Sequence, residues 1–392
     1  MTWMRRGWGL AFVAVLPLGC GSLIGLDDYG NGASVSSGGS GAAAGTTTGA
    51  GAEPCAGVLC GATCVLLDSD SKHCGACNHD CLGGDCVDGE CQPVLLDEGV
   101  PGEIYKHIVV AGDRVFWSVA SPDEIRAIPA EGGERSTFGS APSPDFLAAS
   151  ATHLFASSFV NGAVYAWNLA TAQMATLVSE GGPVAGIAVE SSVAYYHRHA
   201  PQGAVRAIAL SGTTANDIAT EQYLGFGILV ESDSVYWSTL GTGTVATPGT
   251  IATTLINGAG APSVLAPNEL KPSGIALDST HVYWIDANAR VRRVERNGAG
   301  MPKTMFTGFP ASEGEKGFGQ LVQVDQTHVY ATVGAATSSA PYGLLRVGKT
   351  DQEARFVVPD VAIWGLAHDT VAVYYTIIVP SVEPPQLWRL AK

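Results

Sequence analysis

Between residues 274 and 286 the chain reads GIALDSTHVYWID: an alternating run, a polar triplet, then a second alternating run. Period-two alternation puts successive side chains on opposite faces of a strand, and the triplet predicts the tight turn that joins two such strands. Looser copies, GILVESDSVYWST, GIAVESSVAYYHR and QLVQVDQTHVYAT, occur elsewhere. Aligning the aromatic of each copy gives Phe116, Phe155, Tyr195, Tyr236, Tyr283, Tyr330 and Tyr374, spaced by 39, 40, 41, 47, 47 and 44 residues. A third alternating run such as VRRVER follows, and then a hairpin to a fourth. Seven repeats of four strands predict an all-β fold, a seven-bladed β-propeller. The turns NGAG at 257–260 and 297–300 join third to fourth strands, with positive φ expected at both central residues.

The last copy holds only three strands, WGLAHD, VAVYYTI and QLWRLA. An open ring would expose long edges. The unpartnered run PVLLDEG precedes the first copy, so Val94 to Leu96 is expected to complete the seventh blade from outside, against Leu387 to Leu390. His153, His281 and His328 share one repeat position, and Trp117, Trp237 and Trp284 another; duplication of a turn residue and packing between blades explain them better than a ligand set does.

Composition supports strands over helices, with 49 Gly in 392 residues and only 15% charged. A net charge of -15 removes the cationic surface that nucleic acid requires, so no nucleic-acid partner is expected. A monomer is expected. Arg5 and Arg6 precede an apolar run at 8–18, too short to cross about 30 Å of hydrocarbon, so residues 1–19 read as an export signal. Its end, VLPLGC, resembles the lipobox of bacterial lipoproteins, which implies diacylglycerol attachment and cleavage at Cys20; Pro17 stands where that family carries leucine. Gly21 in place of aspartate favours the outer membrane or cell surface by the sorting pattern of that family. Residues 20–54 form a lipidated linker of Gly, Ala, Ser and Thr; its 34 residues after Cys20 reach about 30 Å.

The other eight cysteines, Cys55, Cys60, Cys64, Cys74, Cys77, Cys81, Cys86 and Cys91, crowd into 37 residues. Behind an export signal they imply four disulfides in a module at 55–92, ahead of the propeller at 93–392; eight cysteines allow 105 pairings, which the sequence does not resolve. A zinc site at Cys74 and Cys77 is the lesser reading, and Asp68 and Asp70 read as turn residues, since Lys72 and His73 spoil a calcium loop. The run DSDSKHCGACNHDCLGGDCVDGEC resembles the cysteine-rich motif of stigma-specific secreted proteins, which implies no chemistry.

VYWID resembles the YWTD signature of receptor-type propellers, and PSGIALD the start of NHL repeats, although YWTD propellers carry six blades. The resemblance implies that loops from fourth to first strands, and from second to third, gather around one mouth of the central channel. That face would hold residues 140–145, 197–203, 267–273, 308–319, 332–343 and 376–386. The last three of those in the blade order, 308–319, 332–343 and 376–386, are the longest and least repetitive, and the cluster YYHRHAPQG puts His197 and His199 on one side of a strand. The candidate ligand face is therefore His197, Arg198, His199, Glu313, Glu315, Lys316, Phe318 and Tyr342. No GxSxG, HExxH or nucleotide fingerprint stands in a competent context, so no cofactor, metal or catalytic residue is assigned. The preferred function is a membrane-anchored lipoprotein whose propeller binds a protein, peptide or glycan without catalysis. The alternative is a propeller-type extracytoplasmic hydrolase, lactonase or lyase. Convergent carboxylates and histidines at the channel mouth would favour the enzyme, and an apolar or plugged channel the binding module.

Overall fold

A computed structural model describes residues 55–241, 248–308, 319–334, 342–378 and 383–392. Cys20, the export signal and the linker, like Glu313, Glu315, Lys316 and Phe318, lie outside the described residues.

Seven four-stranded antiparallel sheets form the propeller. Blade 5 is typical: Ile275–Leu277 innermost, then His281–Ile285, Val291–Glu295 and Lys303–Phe306. Blades 1 to 4 span residues 104–140, 147–179, 184–222 and 225–269, and blade 6 spans 319–359. Blade 7 combines Ala362–His368, Ala372–Ile378 and Gln386–Ala391 with Val94–Glu98 as its outermost strand. Leu387 pairs with Asp97, and Trp388 with Leu95, so the ring closes as expected.

The core lies between blades. Seven apolar clusters each join two consecutive blades, the last joining blade 7 to blade 1. The second strand explains the repeated phrase. Its first aromatic, such as Tyr236 or Tyr283, enters the cluster with the following blade, and the next residue, such as Trp237 or Trp284, enters the cluster with the preceding one. Trp117, Trp237 and Trp284 are all fully buried, as inter-blade packing requires. The indole N–H of Trp284 donates to Glu269 at 3.0 Å, and that of Trp237 to Gln222 at 2.8 Å, each at the outer end of the previous blade. In blades 1, 4 and 7 a small hydroxyl follows: Ser118 Oγ donates to Asp145 O (2.7 Å), Ser238 Oγ to Ser273 O (2.6 Å) and Thr376 Oγ1 to Lys106 O (2.8 Å), stitching each of these blades to its successor beside the channel.

The polar triplet is equally determined. Asp278 Oδ1 accepts from the Thr280 and His281 backbone N–H groups, both at 2.8 Å, and Oδ2 accepts from Tyr283 Oη at 2.7 Å. The periodic histidines close the same turn: Thr280 Oγ1 lies 2.7 Å from His281 Nδ1, and Thr327 Oγ1 lies 2.8 Å from His328 Nδ1. The Asn-Gly hairpins differ from expectation in one respect. Only Gly258 and Gly260, and Gly298 and Gly300, have positive φ. Asn257 and Asn297 instead accept from the N–H two residues on, at 2.9 and 2.8 Å, so the amide oxygen does the work that a left-handed Asn would have done.

Ahead of the ring, four disulfides join Cys55 to Cys64, Cys60 to Cys77, Cys74 to Cys86 and Cys81 to Cys91. The two halves of the CxxC thus serve different bridges. Four disulfides suit an exported protein in an oxidising compartment. Two small hairpins, Val58–Cys60 with Thr63–Val65 and Cys86–Val87 with Glu90–Cys91, complete the module. Asp70 accepts from Lys72 N at 2.8 Å, the role of a turn residue. The module leans on the ring: Ala391 packs on its cystine core, Arg389 donates to Leu82 O, and Arg355 pairs with Glu90 at 2.5 Å.

Candidate functional site at the channel mouth

One end of the central channel opens into a cavity of about 520 Å³. Inner strands contribute Lys106 and His107 from blade 1, Phe226 from blade 4 and Trp364 from blade 7. Connections from fourth to first strands contribute Asp145, Phe146, Lys271 and Ser273. Turns between second and third strands contribute Phe159, Val160, Leu240 and Ala287. These are the two loop classes expected at this face.

Rings close the floor. The His107 imidazole stacks on Phe146 at 4.0 Å between centroids, and Phe146 meets Phe226 edge-on at 5.5 Å. Below them the channel narrows to about 140 Å³, lined by inner-strand residues such as Ile108, Ile187, Ile228, Ile275 and Leu366. The mouth is apolar and floored by rings, whereas the narrower space below it presents polar as well as apolar surface. Burial depresses the His107 pKa to about 4, Asp145 pulling the other way, so the imidazole is neutral at pH 7.

The single carboxylate among the described residues of the cavity wall is already engaged. Asp145 Oδ1 takes the Lys106 ammonium at 2.6 Å, and Oδ2 accepts from Phe159 N at 3.1 Å. Lys271 is exposed and has no ion-pair partner among the described residues. On the rim, Phe159 is 40% and Val160 73% exposed, at a turn where the corresponding turn of blade 5 carries Asp286 and Arg290.

Expected site residues fall in different places. His197 is fully buried, inside the ring rather than on its face. It occupies the position of Ser118, Ser238 and Thr376, and its Nε2 donates to Gly227 O of the next blade at 3.3 Å. A Cβ on Gly225 would lie 2.0 Å from His197 Nδ1, so the neighbouring strand is glycine where the ring passes. Burial depresses the His197 pKa to about 4. His199 does reach the rim: its Nδ1 donates to Gly225 O at 2.8 Å and its ring lies 5.1 Å from Phe159. Arg198 is exposed, with no ion pair among the described residues. Tyr342 is half-buried and lies outside the cavity wall; its carbonyl accepts from Asp360 N at 2.9 Å.

Sequence reasoning passed over Phe146, Phe159, Val160, Phe226 and Trp364, which make up most of the apolar wall. The available signal was FVNG at 159–162, two large apolar residues in a turn.

Solved structures share this fold. The structure of U3-55K superposes with a TM-score of 0.60 at 12% identity, over 76% of this chain and 98% of that one. A streptogramin B lyase structure gives 0.57 at 11% identity, over 76% and 96%. A computationally designed protein, Ika8, gives 0.51 at 12% identity, over 76% and 99%. At such identities the likeness shows the propeller fold alone. No protein-family model matches the chain, and no curated protein matches it.

Proposed function

We propose that this chain is an exported lipoprotein, anchored through Cys20 at the outer membrane or cell surface, whose propeller binds a protein, peptide or glycan at the channel mouth without transforming it. The observation that carries the binding reading is the chemistry of the mouth: an apolar, aromatic-walled cavity floored by rings, whose one carboxylate among the described residues is already paired with Lys106. Ligand pockets are typically concave and mostly apolar, with a few polar groups that fix orientation. In this reading His199, Arg198 and Tyr342 supply polar and aromatic contacts around the rim, with Glu313, Glu315, Lys316 and Phe318 on the neighbouring long loop. His197 serves the face from beneath, holding the strand that presents Arg198 and His199.

Phe159→Ser and Val160→Ser test the reading without disturbing the core, because both side chains stand on an exposed turn. Partner binding to the immobilised chain is expected to fall at least tenfold while Tm stays within a few degrees. Catalytic turnover of a lactone or glycan that disappears with His199→Ala would contradict it.

A further inference from the structure

The proposed binding face leaves the class of its ligand open, and the cavity wall narrows it. Four rings, Phe146, Phe159, Phe226 and Trp364, stand in the wall of an open cavity of about 520 Å³, within the roughly 300–1,000 Å³ of small-ligand pockets. Rings prefer to meet rings edge-on or offset, as Phe146 and Phe226 already do, so an aromatic body is favoured here over an aliphatic one. Among the described residues of the wall the one carboxylate, Asp145, has both oxygens taken, so neither is free to collect the hydroxyls of a sugar. The charge of the wall is the second observation. In a chain with a net charge of -15, the described residues of this cavity carry two ammonium groups, Lys106 and Lys271, against one carboxylate. Lys106 is neutralised by Asp145, and Lys271 has no ion-pair partner among the described residues. An ammonium at the edge of an apolar wall is a natural seat for an anion.

We infer that the channel mouth is a receptor site for an aromatic carboxylate, its ring seated among Phe146, Phe159, Phe226 and Trp364 and its anion on Lys271. This rests on the non-catalytic binding reading above. Two sources offer the same chemistry: a free aromatic acid, or the C-terminal residue of a peptide that ends in an aromatic side chain.

The test is calorimetric titration of the purified full chain with N-acetyltryptophan, its neutral amide, and a Gly-Ser-Gly-Trp peptide with a free carboxylate. Saturable one-site binding is expected, with the acid at least fivefold tighter than the amide. Lys271→Gln should bring acid and amide within twofold of each other while leaving the amide's affinity unchanged. Phe226→Ala should weaken both at least tenfold. Val160→Asp, at a position too exposed to affect folding, should weaken the acid more than the amide even if Phe226→Ala proves unstable. A peptide tighter than N-acetyltryptophan supports the site and assigns it to chain ends; equal or weaker binding supports the site and assigns it to free acids. Absence of saturable binding at millimolar concentration, or acid and amide binding equally with no response to Lys271→Gln, overturns the inference. The wider binding reading fails separately, if N-acetyltryptophan methyl ester is bound in the cavity and hydrolysed there.

Discussion

His197 stands where blades 1, 4 and 7 carry a stitching hydroxyl, and that exchange has a consequence for acid stability. Its pKa is depressed to about 4 by burial, against about 6.5 in an unfolded chain. Between those values the unfolded state binds the proton and the folded state does not, so the contribution is fully present above pH 6.5 and is lost as pH falls to about 4. At 1.4 kcal/mol per decade the loss is on the order of 3 kcal/mol. His197→Ser, which installs the residue of blades 1, 2 and 4, should flatten the fall in Tm between pH 6.5 and 4.5, followed by thermal unfolding at each pH; an unchanged slope would assign the sensitivity elsewhere, with His107 the next group to test. The sequence contained this answer. Two positions after the aligned aromatic come Ser118, Ser157, Ser238, Thr332 and Thr376, with Ile285 in blade 5, so His197 is in phase with the repeat although the cluster around it looks irregular. What the sequence could not reveal is that Phe146 and Phe226, two blades apart, meet across the channel, because that contact exists only once the ring has closed.

At the level of strands and blades, two devices hold the ring. The first is the borrowed strand Val94–Glu98. It pairs with the end of the chain and also reaches the next blade, since Tyr105 Oη donates to Asp97 and Arg135 Nη1 donates to Glu98 O at 2.9 Å. Deleting residues 92–99 should therefore lower the Tm of the whole propeller by more than ten degrees and leave an aggregation-prone edge, as judged by calorimetry and light scattering. The second device was not foreseen. Arg126, Arg206 and Arg292 sit at one position of the third strand and pair with Glu103, Glu180 and Glu269, each of which lies on the connection or outer-strand end just before its blade. Burial raises the Glu269 pKa while Arg292, at 2.5 Å, opposes it. Glu269→Gln would strand a buried guanidinium and should cost about 3–5 kcal/mol in urea denaturation, whereas replacing both residues with apolar side chains should cost far less. Strand order and closure were legible because period-two patterns and turn residues are local. The ion pairs were not, because each joins different repeats.

For the molecule as a whole, the cysteine-rich module is more than a bead on the tether. Residues 55–392 form one compact unit, and His79 joins the module to the last residue of the ring, its Nε2 2.5 Å from Lys392 O. The sequence suggested independence, since every cystine falls between 55 and 91. Reductant should accordingly unfold the module, keep the strand circular dichroism at 25 °C, and still lower the propeller Tm by several degrees through the lost contacts at blade 7; an unchanged Tm would restore the independent-module view. Cys20→Ala should release the chain from the membrane fraction or block its processing, and an unmutated mature chain without lipid would remove the anchor from the proposal. The central claim is that partners enter at the channel mouth, and the most direct measurement is photo-crosslinking on intact cells from two exposed positions on opposite faces. Val160 lies at the mouth, and Met301, 82% exposed, lies on a hairpin between third and fourth strands. A photoreactive residue at 160 should trap one discrete partner that excess N-acetyltryptophan displaces, and the same residue at 301 should trap none; capture from 301 but not from 160 would contradict the account.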